Sequence, residues 1–370
     1  MRSNILVFQG DFRFGGAEVV GVNLANAYCE LGYTVTLIVL KRRGGLEERI
    51  LSGVTILDLN TRLLFSFTKL RRLFAGISDK TIIISTIRNL NVAVFLTANR
   101  NKNLKLVFRE ANTYQQLWSF KLKKLFKYLV YKLIIPLVYR QADLIVANST
   151  DTRRDVDRFN FLNLDLNIHV VGNPVLTSKM ASISSKKNTH TAANTELVEI
   201  LSVGRLHEQK DYFLALTAFA MFKKDSPNSM YTILGEGLLR GDIIAYAESL
   251  GLKYGVDWRI EEPVPDPGRF YARCDLFLMT SLWEGFGNVI VEAMGYGKTP
   301  VIANCPGGPK DIIGNEHGYY LTDRSVESIF KGIKEAVDKP IDPDVLKKRA
   351  NDFSAATIAI EYLSLLEEDY

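Results

Sequence analysis

Short stretches of consecutive apolar residues recur along this chain, each followed by a segment of helical period. Ile5–Gln9 is the first. A glycine turn at Gly15-Gly16 follows, then a helical pattern over Ala17–Glu30 that Gly32 ends, then the apolar run Thr34–Leu40. A strand that is apolar at successive positions has to bury both of its faces. The helical segment between two such strands carries the chain back to the end where the first began. Strand–helix–strand alternation of this kind predicts a parallel sheet with crossover helices. Thr81–Ser85, Lys105–Phe108, Asp143–Ala147 and His169–Val171 are further strands of the same set.

The pattern then stops and restarts. Lys179–Thr195 is rich in Ser, Thr, Asn and Lys and has no periodicity, so it reads as a surface loop or linker. Strands at Glu199–Val203, Tyr231–Leu234, Asp257–Ile260, Asp275–Met279 and Pro300–Ala303 follow. They alternate with helical patterns at Tyr212–Phe222, Leu239–Leu250, Arg269–Arg273 and Asn288–Met294. The expected fold is therefore α/β: two Rossmann-like doubly wound domains facing a central cleft, a division that 370 residues can support. The expected organisation is an N-terminal domain over 1–175, a linker or loop over 176–195, a second domain over 196–354 and a C-terminal helix over 355–370. The apolar face of that helix (Ile358, Leu363, Leu366) could pack on either domain.

Composition removes other classes. The chain is 47% hydrophobic and 24% charged, enough apolar surface to offset chain entropy, so disorder is excluded for the bulk of it. Cys29, Cys274 and Cys305 lie far apart and only four histidines are present. A zinc site or disulfide framework is not expected, and a reducing compartment fits. No signal-peptide core follows Met1, and no apolar stretch reaches the ~18 residues of a membrane span. The expected location is cytoplasmic.

The net charge of +5 hides an uneven split. Residues 1–175 hold 25 Lys+Arg against 13 Asp+Glu, a net +12; the remainder holds 21 against 28, a net −7. The first half should meet something anionic. Between Glu110 and Asp143 there is no acidic residue, whereas Lys121, Lys123, Lys124, Lys127, Lys132 and Arg140 all fall there. At helical spacing Trp118, Leu122, Leu125, Phe126 and Leu129 share one face, and the lysines take the other. A Lys face opposite a Trp/Phe/Leu face suits an anionic membrane interface, with Trp118, Lys121, Lys123, Lys124 and Lys127 as contacts. Leu64–Phe74 could add to the patch. An ordinary domain helix with its apolar face in the core would show the same pattern. No nucleic-acid-binding pattern is present, so no nucleic-acid partner is expected.

The segment Thr280–Gly297 carries the most chemical information. It follows an apolar strand, frees its backbone at Gly285 and Gly287, and starts a helix near Asn288. Such a helix start is suited to a diphosphate. Glu284 and Glu292 flank it with seven residues between them, and a carboxylate can accept from a pair of sugar hydroxyls. Gly297-Lys298-Thr299 is not a P-loop, because Glu292 stands where that motif needs its first glycine.

These two glutamates and their spacing resemble the signature of glycosyltransferase family 4, whose members have the GT-B fold and use nucleotide-sugars with retention of configuration. Four other stretches resemble the family in order: Gly15-Gly16-Ala17-Glu18, Val203-Gly204-Arg205-Leu206 with Lys210, Gly235-Glu236-Gly237 with Leu239-Arg240, and Cys305-Pro306-Gly307-Gly308. The resemblance implies that Arg205 and Lys210 bind the donor diphosphate and that Glu284 contacts the donor sugar. It further implies that Glu292 binds the ribose, that the amides of Phe286, Gly287 and Asn288 hold phosphate or sugar, and that Val264 meets the base. Gly15 and Gly16 would approach the donor from the first domain.

Metal-dependent transferases use a DxD. Here only Asp155-Val-Asp157 and Asp342-Pro-Asp344 match, and neither ends an apolar strand, so no metal and no cofactor are expected. Two departures stand out. Ala111 occupies the place of a family histidine, which leaves Glu110 and Asn112 as candidates for the acceptor contact, and Lys210-Asp211 replaces the common Lys-Gly. The expected activity is transfer from a nucleotide-sugar, UDP-linked by preference, to a lipid-linked saccharide at the cytoplasmic membrane face. The alternatives are a soluble transferase with a small acceptor or a GDP-sugar, and a catalytically silent surface-binding protein.

Overall fold

Residues 3–98, 101–111, 132–178, 180, 197–264 and 266–367 are described by a computed structural model. The chain divides into two units. The first comprises Met1–Thr177 with Phe353–Tyr370, and the second Ser178–Asp352. Among the described residues each unit contains one sheet in which every strand pairs parallel to its neighbours.

In the first unit the strands are β1 (Asn4–Gln9), β2 (Val35–Val39), β3 (Val54–Asp58), β4 (Thr81–Ser85), β5 (Leu104–Glu110), β6 (Leu144–Ala147) and β7 (Ile168–Val170), in the order β3-β2-β1-β4-β5-β6-β7. Ile5 lies opposite both Val35 and Ile82. Side chains alternate across a strand, so β1 feeds two cores. Ile5 and Val7 join Val20, Leu24 and Tyr28 of the helix Gly16–Glu30. Leu6 and Phe8 join Leu70 and Phe74 of Phe67–Ala75, Leu90 and Val94 of Arg88–Thr97, and Val156 and Phe159 of Thr150–Phe159. Strand β3 was not expected from sequence. It is a short edge strand of mixed polarity, buried at Val54 and partly or fully exposed after it, so it lacks the apolar run that marks the others.

The C-terminal helix Ala355–Glu367 belongs to this first unit. Ile358, Ala359, Tyr362 and Leu366 are buried in the same cluster as Val20 and Leu24. Burying each large side chain contributes about 1.5–3 kcal/mol. The chain leaves and re-enters this unit along paired backbone: Val175 N–H donates to Phe353 O at 2.9 Å and Ala355 N–H to Leu176 O at 2.8 Å. Asn23 Nδ2 ties helix Gly16–Glu30 to Pro174 O at 2.8 Å. Arg109, 0% exposed, sits beneath this junction. Its Nε donates to the Tyr362 hydroxyl at 2.8 Å and its Nη2 to Asn173 Oδ1 at 2.7 Å. A buried cation needs such acceptors, so Arg109 binds β5, the segment after β7 and the last helix together.

The second unit has β8 (Val198–Val203), β9 (Ser229–Leu234), β10 (Trp258–Glu261), β11 (Leu276–Met279), β12 (Thr299–Ile302) and β13 (Tyr319–Tyr320), in the order β10-β9-β8-β11-β12-β13. All four residues of β11 are buried, as expected for a central parallel strand. Helices Tyr212–Asp225, Val326–Asp338 and Pro343–Asn351 start at Asp211, Ser325 and Asp342, whose side chains accept backbone N–H groups of the first turn. The expected linker falls mostly on residues outside the described set.

Replacing Tyr362 with Phe should leave Arg109 one acceptor short and lower unfolding stability by about 1–3 kcal/mol. Urea unfolding followed by circular dichroism measures this; an unchanged midpoint would show that Arg109 does not depend on that hydroxyl.

Candidate active site

Strand order in the second unit creates one special place. The chain runs outward from β8 to β9 and β10, then returns to lay β11 on the other side of β8. All strands are parallel, so the segments that follow β8 and β11 leave the same sheet edge and move apart. In open α/β sheets, ligands bind at this reversal.

The two segments are joined firmly here. Leu282 N–H donates to Gln209 O at 2.7 Å, Gln209 Nε2 to Trp283 O at 2.8 Å, and Thr280 Oγ1 to Lys210 O and Asp211 O, both at 3.0 Å. Arg324 spans both segments. It donates to the carbonyls of Ser281 at 2.8 Å, Thr280 at 2.7 Å and Asn304 at 3.1 Å, and to Asp211 Oδ2 at 2.5 Å. Asp211 has φ +48°, the left-handed region that glycine tolerates best. The Lys-Asp departure thus places a carboxylate where glycine would be relaxed. That carboxylate caps helix Tyr212–Asp225 and anchors Arg324, two contacts that offset the backbone cost.

Lys210 and Glu284 come from the two segments and meet. Lys210 Nζ lies 2.6 Å from Glu284 Oε1, with side chains 15% and 12% exposed. A Cβ at Gly204 would lie 2.6 Å from Lys210 Cε, so a side chain at 204 would displace the lysine stem. Arg205 is exposed on the same segment. Lysine has three donors, so the ammonium can hold Glu284 and still donate to an arriving anion.

Beyond Glu284 the chain turns through Gly285–Gly287 into helix Asn288–Gly295. Gly287 is its N-cap at φ +104° and, as a glycine, makes no side-chain cap hydrogen bond. The Cys305–Gly308 segment supports the turn from behind: Glu284 N–H donates to Pro306 O at 3.0 Å and Gly308 N–H to Gly285 O at 3.3 Å. Gly307 has φ +112°, and a Cβ there would lie 1.8 Å from Glu284 O. Glu292 is partly exposed on the helix, and Tyr271 donates to its Oε2 at 2.7 Å. Burial first, and then the Glu292 charge, push the Tyr271 phenol well above its usual range. Val264 is half-buried in the segment after β10, on the same sheet edge.

The structure therefore brings Lys210 and Glu284 into contact and puts Arg205, Phe286, Gly287, Asn288 and Glu292 on the segments around them. Tyr271 and Arg324 were missed by sequence reasoning. Tyr271 lies in the six-residue helix Gly268–Arg273 and Arg324 follows β13; neither stands in a recognisable motif.

Gly15 and Gly16 follow β1 at the corresponding reversal of the first sheet, between β1 and β4. A Cβ at Gly15 would lie 2.3 Å from Glu18 Oε2, whereas one at Gly16 would meet nothing within 4 Å. Burial raises the Glu18 carboxyl above its usual value.

Glu110 corrects an expectation. It is 1% exposed, and its oxygens take the Arg88 fork at 3.1 and 2.7 Å and the Tyr139 hydroxyl. Burial raises its carboxyl, partly offset by Arg88. A carboxylate enclosed in this way braces β5 against its helices and does not reach an acceptor. Asn112, Trp118, Lys121, Lys123, Lys124 and Lys127 lie outside the described residues. Of the DxD matches, Asp155 and Asp157 pair with Arg158 and Arg153 on their own helix, and Asp342 caps the helix Pro343–Asn351.

Two parallel doubly wound sheets are the architecture of the GT-B fold. Solved structures share the architecture. HepE of Anabaena with UDP-glucose aligns with a TM-score of 0.74 at 18% identity over 99% of this chain and 100% of that one. The lipopolysaccharide outer core galactosyltransferase WaaB aligns at 0.74 and 16% identity over the full length of both. The family model for Glycosyltransferase Family 4 matches residues 14–179 and that for Glycosyl transferases group 1 matches residues 184–353. The chain belongs to glycosyltransferase family 4. Among curated relatives, the N-acetylgalactosamine-N,N'-diacetylbacillosaminyl-diphospho-undecaprenol 4-alpha-N-acetylgalactosaminyltransferase of Campylobacter jejuni is 27% identical over 82% of this chain and 81% of its own. The lipopolysaccharide core biosynthesis glycosyltransferase LpsE of Rhizobium meliloti is 27% identical over 95% and 96%.

Gly307→Ala forces a side chain into a left-handed backbone pressed against Glu284 O. It should destabilise the second unit by at least about 1–2 kcal/mol. Chemical denaturation measures the loss, and a variant as stable as the parent would overturn the close-approach argument.

Proposed function

We propose that the chain moves a sugar from a UDP-sugar to a saccharide carried on a lipid diphosphate, with retention of configuration and without a metal. The observation that carries this reading is the Lys210–Glu284 contact at the sheet reversal, with the exposed Arg205 on the same segment as Lys210 and Glu292 on the adjoining helix. The relatives support the acceptor class: the Campylobacter enzyme's name specifies a diphospho-undecaprenol saccharide, and so does that of an Escherichia coli galactosyltransferase 26% identical over 38% of this chain.

In this reading Glu292 accepts the ribose hydroxyls and the helix start at Asn288 faces the diphosphate. Lys210 and Arg205 stabilise the charge that grows on the leaving phosphate, most strongly in the transition state. The bond from the sugar's anomeric carbon to the phosphate oxygen breaks. The acceptor oxygen bonds to that carbon on the same face, and its proton passes to the departing phosphate. Glu284 contacts the donor sugar, and its pairing with Lys210 holds both groups in place before substrate arrives. Gly16 is open at its Cβ position, so the backbone there is accessible to a ligand.

The acceptor's lipid would be met at a membrane surface by the first unit. The basic stretch with Trp118, Lys121, Lys123, Lys124 and Lys127 is the proposed contact. Exposed apolar residues elsewhere in the unit support it: Leu64 and Phe65 are 79% and 71% exposed beside the exposed Arg62, Lys69, Arg71 and Arg72. No described helix is long and apolar enough to cross a membrane.

Glu292→Ala should weaken UDP binding, and Lys210→Ala should cut turnover by about 10²–10³-fold, with a chelator leaving the parent's activity intact. Calorimetry and a transfer assay read these; full activity in both variants would sink the donor-site assignment. Replacing Lys121, Lys123, Lys124 and Lys127 with Gln should abolish salt-sensitive binding to phosphatidylglycerol vesicles. Co-sedimentation tests this, and unchanged binding would remove the membrane assignment.

A further inference from the structure

Glu292 is a partly exposed carboxylate on a flexible side chain, yet a carboxylate that grips a diol must present its lone pairs in a fixed direction. Tyr271 supplies a fixed point. Its side chain is buried, its ring stacks on Tyr296 with centroids 5.7 Å apart and planes at 16°, and it leans on Phe277 of β11 at 6.3 Å. Helix Gly268–Arg273, strand β11 and helix Asn288–Gly295 therefore set where its hydroxyl lies. That hydroxyl donates to Glu292 Oε2 at 2.7 Å.

The neighbouring phenol behaves differently. The Tyr296 hydroxyl is buried with no hydrogen-bond partner among the described residues, so aromatic packing alone does not supply a partner for a phenol in this place. Burial and the Glu292 charge keep Tyr271 protonated through the physiological range, so it remains a donor and the carboxylate remains the acceptor.

We infer that Tyr271 is a positioning residue of the donor site: its hydroxyl fixes the Glu292 carboxylate in the orientation that accepts the ribose hydroxyls of a nucleoside diphosphate. The inference rests on the donor-site reading above and adds to it the group that orients the ribose contact.

The test is equilibrium binding of UDP and of 2′,3′-dideoxyuridine diphosphate to the full chain by calorimetry, with GDP and its dideoxy counterpart as a second pair. The parent should prefer the ribose form. Tyr271→Phe keeps the ring and its stacking, and should weaken binding of the ribose form by about tenfold while leaving the dideoxy form unchanged. Tyr296→Phe removes a hydroxyl with no partner and should change neither. If Tyr271→Phe weakens both ligands equally, or neither, the positioning role is overturned. Glu292→Gln separates this failure from that of the donor-site reading. A lost ribose preference in Glu292→Gln with an intact one in Tyr271→Phe overturns only the inference. An intact preference in both, or no nucleoside diphosphate bound by the parent, overturns the two together.

Discussion

Parallel pairing leaves a sheet with one carboxyl edge, and everything chemical in this protein hangs from that edge. Once β8 has been flanked by β9 on one side and β11 on the other, the segments that follow β8 and β11 have to start side by side and then part. Lys210 and Glu284 are 74 residues apart in the chain and 2.6 Å apart in space for this reason. The adjacency of two strands places them, and no local sequence preference could. The same constraint operates in the first sheet, where Gly15 and Gly16 follow β1 at its border with β4.

The reversal brings backbone groups and charges together at a cost that has to be offset locally. Arg324 does most of this. One guanidinium collects three carbonyls and one carboxylate from the segments that follow β8, β11 and β12. Its planar fork suits several acceptors at fixed angles, which an ammonium would not. Arg109 joins other elements of the first unit, β5, the segment after β7 and the last helix, through a phenol and an amide. The two arginines differ in exposure. The one paired with a carboxylate is partly open to solvent, and the one served by neutral acceptors is fully enclosed.

What was legible in the sequence was what is local in the chain. Apolar runs marked β1, β2, β4 and β11 to within a residue or two, because a buried parallel strand must be apolar on both faces. Strand β3, at the sheet's edge, and β13, two residues long at the other sheet's edge, carry no such mark. Gly285–Asn288 and the two glutamates were readable because one turn and one helix hold them. Tyr271 was not, since its role depends on a partner 21 residues away that only the packing of helix on strand brings near. Glu110 misled for the same reason. Its neighbours in sequence suggest a loop beside a reacting sugar, but Arg88 and Tyr139, which enclose it, come from helices before and after β5. Asp211 is the reverse case: an apparent defect in the motif becomes intelligible once its cap and its arginine are seen.

The charge distribution can now be stated in terms of distance. The second half of the chain carries a net −7, which on average would repel a diphosphate. At the reversal, however, Asp211 is matched by Arg324 and Glu284 by Lys210, leaving the exposed Arg205 as the charge in excess among these five groups. Fields from more distant carboxylates fade over about 8 Å at physiological ionic strength. In the proposed reading an arriving anion would meet Lys210 and Arg205 on the segment after β8. Pairing offsets part of the cost of enclosing these charges. The ion pairs tie the segment after β8 to the segment after β11 and to Arg324, so these side chains hold one another in place.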